Sequence, residues 1–459
     1  MVVTGPGFDK QARTVASDQG VPSLQVAVYP GSFDLHTKAQ LQENSKKLLV
    51  PQVIQALTKP IPETATPDSK RQIAFTGSLD AINRHFTNQQ WSDGLAIFPP
   101  TVERIREFLK YTGYAPHEEI SVLPGSNLKA TPYNIAANAV MAGCRPEHMP
   151  VLIAAVKAMA DPTFRLNMTG GSTHSFTHFY LVNGPLAGQL QIDHGQGLIA
   201  YSNNQVIGRA MSLIERNIAG YRIKDTQMGS FGKTQSWVLA EDEAALEKIG
   251  WRPHHVDKGF LPDVSTVSAA SSTVWGQNFI PSSSYPQAVM QLLAYGLTHG
   301  ESFASGMIDS RKYLLLTPGV AQMLADGGYS KRSLIDDVAK NARRITYEWN
   351  FSKVYGSYGR VMGSFENELA RSLREPGAEK GKLPPWYPRS PGWEEIVTTP
   401  TITPGRLQII VCGDPNRNKA QTLAGGMGGA TKEVRLPANW DELMKKAGYR
   451  PLREFSIGK

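Results

Sequence analysis

Cys144 is the residue whose surroundings most favour covalent chemistry. It precedes a predicted helix that begins at Pro146, and Arg145 lies beside it. Proline suits a first helical position, and both a helix N-terminus and a neighbouring arginine stabilise a thiolate relative to a thiol. We therefore predict that Cys144 is a nucleophile or a redox thiol, although a buried cysteine without a role fits the same pattern.

A catalytic thiol needs a base near neutral pH, and two histidines could serve. His174 lies in a loop rich in glycine and hydroxyl residues ahead of a predicted strand, and His255 lies later in the same half of the chain. Two cations of this half, Arg145 and Lys233, could hold a negatively charged substrate. Lys233 follows a glycine-rich turn, which does not have the spacing of a P-loop.

A second glycine-rich loop, at 195–204, leads directly into a predicted helix over 205–217. The free N–H groups of such a helix start can bind an anion, and Arg209 lies one turn further on. Asn204 would then be a substrate ligand, but it fits an ordinary helix cap equally well. The glycines at 425–429 do not follow a strand in the way that a dinucleotide fingerprint requires.

A histidine metal site is the alternative. His174 and His178 would share a face only on a helix, whereas the glycines before them favour a loop followed by a strand. Together with His194, His254 or His255 and an acid such as Asp193, they could still ligate a metal. Neither hypothesis specifies a cofactor.

The composition restricts the partners. The chain has 459 residues and a formal net charge of +8, with lysine and arginine scattered along it. This distribution favours a small anionic substrate and argues against nucleic acid. The two cysteines lie far apart and form no disulfide framework. Without a signal-like start or a long apolar run, we expect a cytoplasmic protein that does not enter membranes.

These positions must be held by alternating helices and strands. One series comprises a helix at 146–160, a strand and turn at 179–190, a helix at 205–217 and a strand at 234–240. A second series has the same order at 287–295, 312–324, 333–344 and 406–411. We predict an α/β fold with two similar α/β lobes, formed by internal duplication and separated by a cleft.

The predicted boundaries follow from this repeat. Residues 1–75 form an N-terminal arm, residues 76–280 the first lobe with the Cys144 site, and residues 281–459 the second lobe. The aromatic and proline-rich span 345–400 interrupts the second lobe and is too long for a simple linker, so we expect a lid or an oligomer contact. The arm and this insertion together suggest a homo-oligomer.

Between residues 90 and 265, several short motifs have the order and spacing of a known family. They are Trp91-x-Asp-Gly-Leu95, Phe98-Pro-Pro-Thr101, Asn138-Ala-Val-Met-Ala-Gly-Cys-Arg-Pro-Glu147, Val182-Asn-Gly-Pro185, Ile207-Gly-Arg-Ala210 with Asn217, Gly232-Lys233, Trp251-x-Pro-x-His255-Val256 and Gly259-Phe260. In these motifs the chain resembles the large proteins associated with the UGSC (seleno)protein family.

The resemblance implies a shared site at Cys144, Arg145, Asn183, Arg209, Lys233 and His255. The segment that names the family, a selenocysteine or cysteine followed by Gly-Ser-Cys, does not occur in the sequence. If the family acts through that redox pair, a separate partner protein must carry it. Three functions follow as hypotheses: a thiol enzyme for a small anionic or carbonyl-bearing substrate, a metal-dependent enzyme, and a non-catalytic subunit of a thiol or selenol redox complex.

Overall fold

The structure, a computed structural model, describes residues 1–18, 20–33, 35–59, 73–299, 310–345 and 398–456. Nearly all of the predicted insertion at 345–400 lies outside the described residues. No helix in the described ranges is both long and apolar enough to cross a membrane.

Helices and strands alternate along the chain, which confirms the predicted α/β class. The α-helices are α1 (Phe8–Asp18), α2 (Lys38–Asn44), α3 (Val50–Thr58), α4 (Leu79–Asn88), α5 (Val102–Leu109), α6 (Pro132–Ala142), α7 (Met149–Ala160), α8 (Leu166–Thr169), α9 (Pro185–Gln189), α10 (Ser202–Asn217), α11 (Glu243–Lys248), α12 (His254–Asp257), α13 (Pro286–His299), α14 (Pro318–Asp326), α15 (Lys331–Asn341) and α16 (Trp440–Lys446). The strands are β1 (Val2–Thr4), β2 (Val26–Val28), β3 (Ser121–Val122), β4 (Lys129–Ala130), β5 (Thr177–Asn183), β6 (Trp237–Ala240), β7 (Thr266–Ser272), β8 (Val274–Phe279), β9 (Arg311–Leu316), β10 (Arg343–Ile345), β11 (Thr398–Pro400), β12 (Leu407–Val411), β13 (Ala420–Gly426) and β14 (Gly429–Glu433).

Two 4-stranded mixed sheets lie at the centre of the molecule. The first sheet has the strand order β6-β5-β7-β14 and the second has the order β12-β9-β13-β8. In each sheet the first two strands are parallel, and each of the next two is antiparallel to its neighbour. The two sheets therefore share both strand order and strand directions.

Each sheet receives its last strand from the other half of the chain. Strand β7 of the first sheet continues through Thr273 into β8 of the second, and β13 of the second continues across Met427 into β14 of the first. The crossing is tight, because a Cβ atom on Gly428 would lie 2.1 Å from the backbone oxygen of Thr163. The glycines at 425–429 thus belong to a strand crossover.

The two sheets pack face to face, and helices cover their outer faces. Because side chains alternate along a strand, Phe179 and Leu181 point toward the second sheet, where they meet Tyr313 and Leu315. The intervening Tyr180 points outward into a core shared with α6, α7 and α10. The second sheet buries its outer face against α13, α14 and α15. The order of layers is helices, sheet, sheet, helices.

The described part of the N-terminal arm contains three helices and the short parallel pair β1 and β2. Helices α2 and α3 of the arm are joined by a single π-helical turn at Ser45–Leu49. Helix α1 is fastened to the body, since Gln11 Nε2 donates to the backbone oxygen of Thr226 at 3.0 Å.

Candidate functional site

Cys144 lies in the hydrophobic core of the first half and not in a cleft. Its N–H donates to Ala139 O at 3.0 Å and closes the last turn of α6, so it does not cap the following helix. Its Sγ donates to Val206 O at 3.2 Å. Burial raises the pKa of the thiol well above its usual value, and the opposing effect of Arg209 and Arg145 is too small to reverse this. These surroundings favour the neutral thiol of Cys144 over the predicted thiolate.

Cys412 behaves in the same way. It follows the apolar strand β12 directly and is 2% exposed. Burial raises its pKa, and Glu241 and Asp242 add to the rise. The sequence analysis predicted a thiolate at Cys144 alone, so the two cysteines were expected to differ. The two thiols are alike, because core packing outweighs the charge beside Cys144.

Arg209 and Arg145, predicted as substrate ligands, are engaged in ion pairs within the fold. Arg209 Nε and Nη2 both lie 2.8 Å from the carboxylate oxygens of Asp93, which ties that turn to α10. Arg145 Nε lies 3.0 Å from Glu147 Oε1. The bidentate pairing with Asp93 favours a structural role for Arg209. Arg145 is 44% exposed and pairs through Nε alone, so its use as a substrate ligand stays a prediction.

Asn204 is also structural. Its Nδ2 donates to the backbone oxygens of Asp193 and Val238 at 3.0 Å each, and its Oδ1 accepts from Asp193 N at 2.8 Å. The carboxamide is saturated by these bonds and holds the glycine-rich loop against β6. These bonds favour a structural role for Asn204 over its predicted use as a substrate ligand.

Lys233 belongs to a buried polar chain. His178 Nδ1 lies 2.9 Å from Glu215 Oε2, and His178 Nε2 lies 2.9 Å from Thr169 Oγ1. Lys233 Nζ donates to the other carboxylate oxygen of Glu215. Burial opposes ionisation of Glu215, yet His178 and Lys233 outweigh it and lower the pKa of this carboxyl to about 2. The chain is fully partnered within the core, so Lys233 has no free charge to offer an anion.

The remaining histidines do not converge. His174 is half-buried with its ring 5.9 Å from that of Phe176, and His194 is 48% exposed with Nδ1 3.7 Å from Asp242 Oδ2. In the part of the chain that the structure describes, no group of three or more His, Cys, Asp or Glu side chains is arranged to hold a metal. The arrangement offers no metal site to the predicted histidines.

A pocket of about 430 Å³ opens between the two sheets beside β14. Ser268 of β7 and Thr431 of β14 form one wall, with their hydroxyl oxygens 2.8 Å apart. Arg311 and Tyr313 of β9 form the opposite wall. His254 of α12 and Lys258, the residue after this helix, close the end of the pocket. We call His254, Lys258 and Arg311 the basic group of the pocket.

The pocket is electropositive. The carboxylate in its lining is Asp161, and Lys432 Nζ lies 2.6 Å from Asp161 Oδ2. Burial favours the neutral acid, but hydrogen bonds from Lys432 and Thr163 lower the pKa of Asp161 to about 2. Asp161 is therefore ionised and neutralised by a neighbour, which leaves Arg311 and Lys258 without a free carboxylate in the pocket lining.

His254 is a neutral imidazole at the end of this pocket. Burial lowers its pKa well below the usual value, and Lys258 and Lys331 lower it further. Among the described residues its ring has no hydrogen-bond partner, while its backbone N–H donates to Glu241 Oε2 at 2.7 Å. The backbone of His254 is thus fixed and its ring is available to a ligand.

A cluster of buried carboxylates supports the pocket from behind, where β5 and β6 end. The carboxyl ends of parallel strands are frequent locations of binding sites. Asn183 Nδ2 donates to Glu241 Oε2 at 2.8 Å and to Glu243 Oε1 at 2.9 Å. His255 Nδ1 lies 3.6 Å from Glu243 Oε1. Asn183 and His255 are thus the two predicted site residues that the fold brings together next to the pocket.

Sequence reasoning missed Lys258 and Arg311, and it considered His254 only as one of the histidines of a possible metal site. His254 had a signal, because it forms a doublet with His255, and Lys258 directly precedes the Gly259-Phe260 motif. Arg311 had none, because it lies more than fifty residues further on, in the other half of the chain.

The fold and the pocket define the chain as an α/β protein with a basic cleft between two sheets. No family model matches the sequence, and no curated protein or solved structure is significantly similar to it.

Proposed function

We propose that the chain is an enzyme for a small organic anion, which binds in the pocket between the sheets. The observation that carries the proposal is the convergence of Arg311, Lys258 and His254 on one pocket whose lining carboxylate is paired with Lys432. Low-dielectric walls strengthen the attraction of such a cleft for negative charge.

Arg311 is the proposed anchor for the anion. Its Nε is buried and has no hydrogen-bond partner among the described residues. An arginine fork binds a carboxylate or phosphate through two parallel hydrogen bonds, and an incoming anion would satisfy the unpartnered donor.

His254 is proposed to accept a hydrogen bond from the substrate. Burial keeps its imidazole neutral, and a neutral ring in the pocket lining has a nitrogen lone pair to offer. Glu241 and Asn183 would hold its backbone in place. This assignment replaces Cys144 and keeps the small anionic or carbonyl-bearing substrate.

We propose that the two halves arose by duplication, which the shared strand order of the sheets and their reciprocal exchange of last strands support. We propose a relationship to the large UGSC-associated proteins on the sequence motifs alone. Asn183 and His255, which belong to these motifs, lie beside the pocket. A redox partner and a homo-oligomer remain part of that proposal.

Calorimetric titration with inorganic phosphate and with lactate tests the pocket. Replacement Arg311→Gln should weaken binding by roughly tenfold or more, because a charged hydrogen bond contributes about 1.5–3 kcal/mol. Arg332→Gln is the matched control, since Arg332 is 78% exposed on α15. Equal affinity of the Arg311→Gln variant and the parent for both anions would refute the proposal.

A further inference from the structure

The hydrogen-bond donors of the pocket come from both sheets. Arg311 and Tyr313 lie two residues apart on β9, so their side chains are on the same face of the second sheet. Ser268 and Thr431 are paired across β7 and β14 and line the pocket from the first sheet. An anion between these walls therefore meets donors on two opposite sides.

Gly429 leaves open the space beside Arg311 and Tyr313. A Cβ atom added to Gly429 would lie 3.5 Å from Arg311 Nη1 and 3.5 Å from the hydroxyl oxygen of Tyr313. Both donors thus reach the same position next to the backbone of β14. That position is free because residue 429 has no side chain.

The hydroxyl groups of the pocket have protons to offer an anion. The hydroxyl oxygens of Ser268 and Thr431 lie 2.8 Å apart and make no other hydrogen bond in the described part of the chain. One of their two protons joins them, so the other is left for a ligand. The proton of Tyr313 is also left, since its neighbour Arg311 is a donor and cannot accept it.

This set of donors matches a tetrahedral group better than a flat one. A carboxylate is planar and has two oxygens, which an arginine fork binds from one direction. A phosphate monoester has three terminal oxygens and carries close to two negative charges at neutral pH. Arg311 can bind oxygens on one side of a phosphate while the hydroxyl pair on the opposite wall donates to another.

We propose that the anion of this pocket is the phosphate group of a small organic phosphate monoester. The proposal rests on the proposed anion pocket and names its substrate class. The phosphate group would lie beside Gly429, between Arg311 and the opposite hydroxyl pair. Apolar lining remains for the organic part of the ligand at Phe260, Ala269 and Ala430.

Calorimetric titration of the full chain with two matched ligands tests this proposal. Glycerol 3-phosphate and glycerate are both small hydroxylated anions, and they differ chiefly in the anionic group. We expect glycerol 3-phosphate to bind roughly tenfold more tightly or better, because its phosphate gains at least one further charged hydrogen bond. Inorganic phosphate, which has no organic part to contact Phe260, should bind more weakly than glycerol 3-phosphate.

Removal of the hydroxyl groups should weaken phosphate binding selectively. Tyr313→Phe and the double variant Ser268→Ala/Thr431→Val should each weaken binding of glycerol 3-phosphate by roughly tenfold. Binding of glycerate should hardly change, because the arginine fork holds a carboxylate without these groups. Tyr285→Phe is the matched control, since Tyr285 is 73% exposed and does not line the pocket.

The outcomes separate the phosphate ester from the anion pocket. If glycerate binds as tightly as glycerol 3-phosphate and both are lost in Arg311→Gln, the phosphate is overturned and the anion pocket stands. Equal affinity for inorganic phosphate and glycerol 3-phosphate overturns the ester. Unchanged binding of glycerol 3-phosphate in both hydroxyl variants also overturns this proposal. If none of the three ligands binds, both proposals fall.

Discussion

At the residue scale, Glu243 is the most perturbed carboxyl behind the pocket. It accepts hydrogen bonds from Asn183 Nδ2 at 2.9 Å and from Gly184 N at 2.8 Å. Burial is the larger effect, however, and with the nearby charge of Glu241 it raises the pKa of Glu243 from 4.5 to about 7. Between pH 4.5 and 7 the folded protein therefore keeps a proton on Glu243 that the unfolded chain has released.

This difference predicts a dependence of stability on pH. Between pH 4.5 and 7 the folded state binds more protons at Glu243 than the unfolded chain does, so its contribution to stability is complete below 4.5 and is lost as pH rises through 7. The pKa difference corresponds to roughly 3 kcal/mol. Glu243→Gln should remove this loss, which urea denaturation of both proteins at pH 5 and pH 8 will measure.

Glu247→Gln provides the control, because Glu247 is exposed on the same helix α11. It should lose stability with rising pH as the parent does. If the free energies of unfolding of Glu243→Gln and the parent changed equally between pH 5 and pH 8, Glu243 would have the same pKa in the folded and unfolded states.

At the element scale, the two strand crossovers join the halves of the molecule. The segment between β13 and β14 passes directly over the turn at Thr163, which also lines the pocket. The contact is with the backbone of Thr163. Rotation of a neighbouring side chain therefore cannot relieve the clash that a side chain at Gly428 would cause.

Gly428→Ala should therefore destabilise the protein. Its Cβ would lie 2.1 Å from Thr163 O, and overpacking of this kind costs on the order of 1–3 kcal/mol. Gly405→Ala is the matched control, since Gly405 is exposed and a Cβ atom added to it would meet nothing within 4 Å. The midpoint of urea denaturation should fall for the first variant and hardly move for the second; equal midpoints would contradict the tight crossing.

The same elements show what the sequence could predict of the fold. The strand and proline-initiated turn at 179–190 and 312–324 were predicted, because Pro185 and Pro318 mark the first turns of α9 and α14. Strand β14, at Gly429–Glu433, shows the limit of local patterns. It is short and polar, and its position is set by pairing with β7, more than 150 residues away, which local patterns do not encode.

The candidate site was harder to predict for the same reason. Cys144 had local signals of reactivity, a following helix and an adjacent arginine, but core packing overrode both. The charges of Arg209 and Lys233 were visible in the sequence, whereas their partners Asp93 and Glu215 were not recognised as such. Long-range ion pairing decides which cations are free, and it depends on the finished fold.

At the scale of the whole molecule, the pocket exists only because the two halves meet. His254 and Lys258 follow the first sheet's β6, whereas Arg311 begins β9 of the second sheet. Strand β14, which forms part of the wall, reaches the first sheet by the crossover. Assembly of the basic group is thus a consequence of strand exchange and face-to-face packing of the sheets.

Anomalous diffraction from crystals soaked in selenate tests the anion pocket most directly, because selenium locates the bound anion. We predict a peak between the two sheets with selenate oxygens about 3 Å from the Arg311 guanidinium. The peak should be absent from Arg311→Gln crystals and present in Arg332→Gln crystals. Selenate bound only elsewhere on the protein, with the pocket free of anomalous density in the parent crystals, would contradict the account.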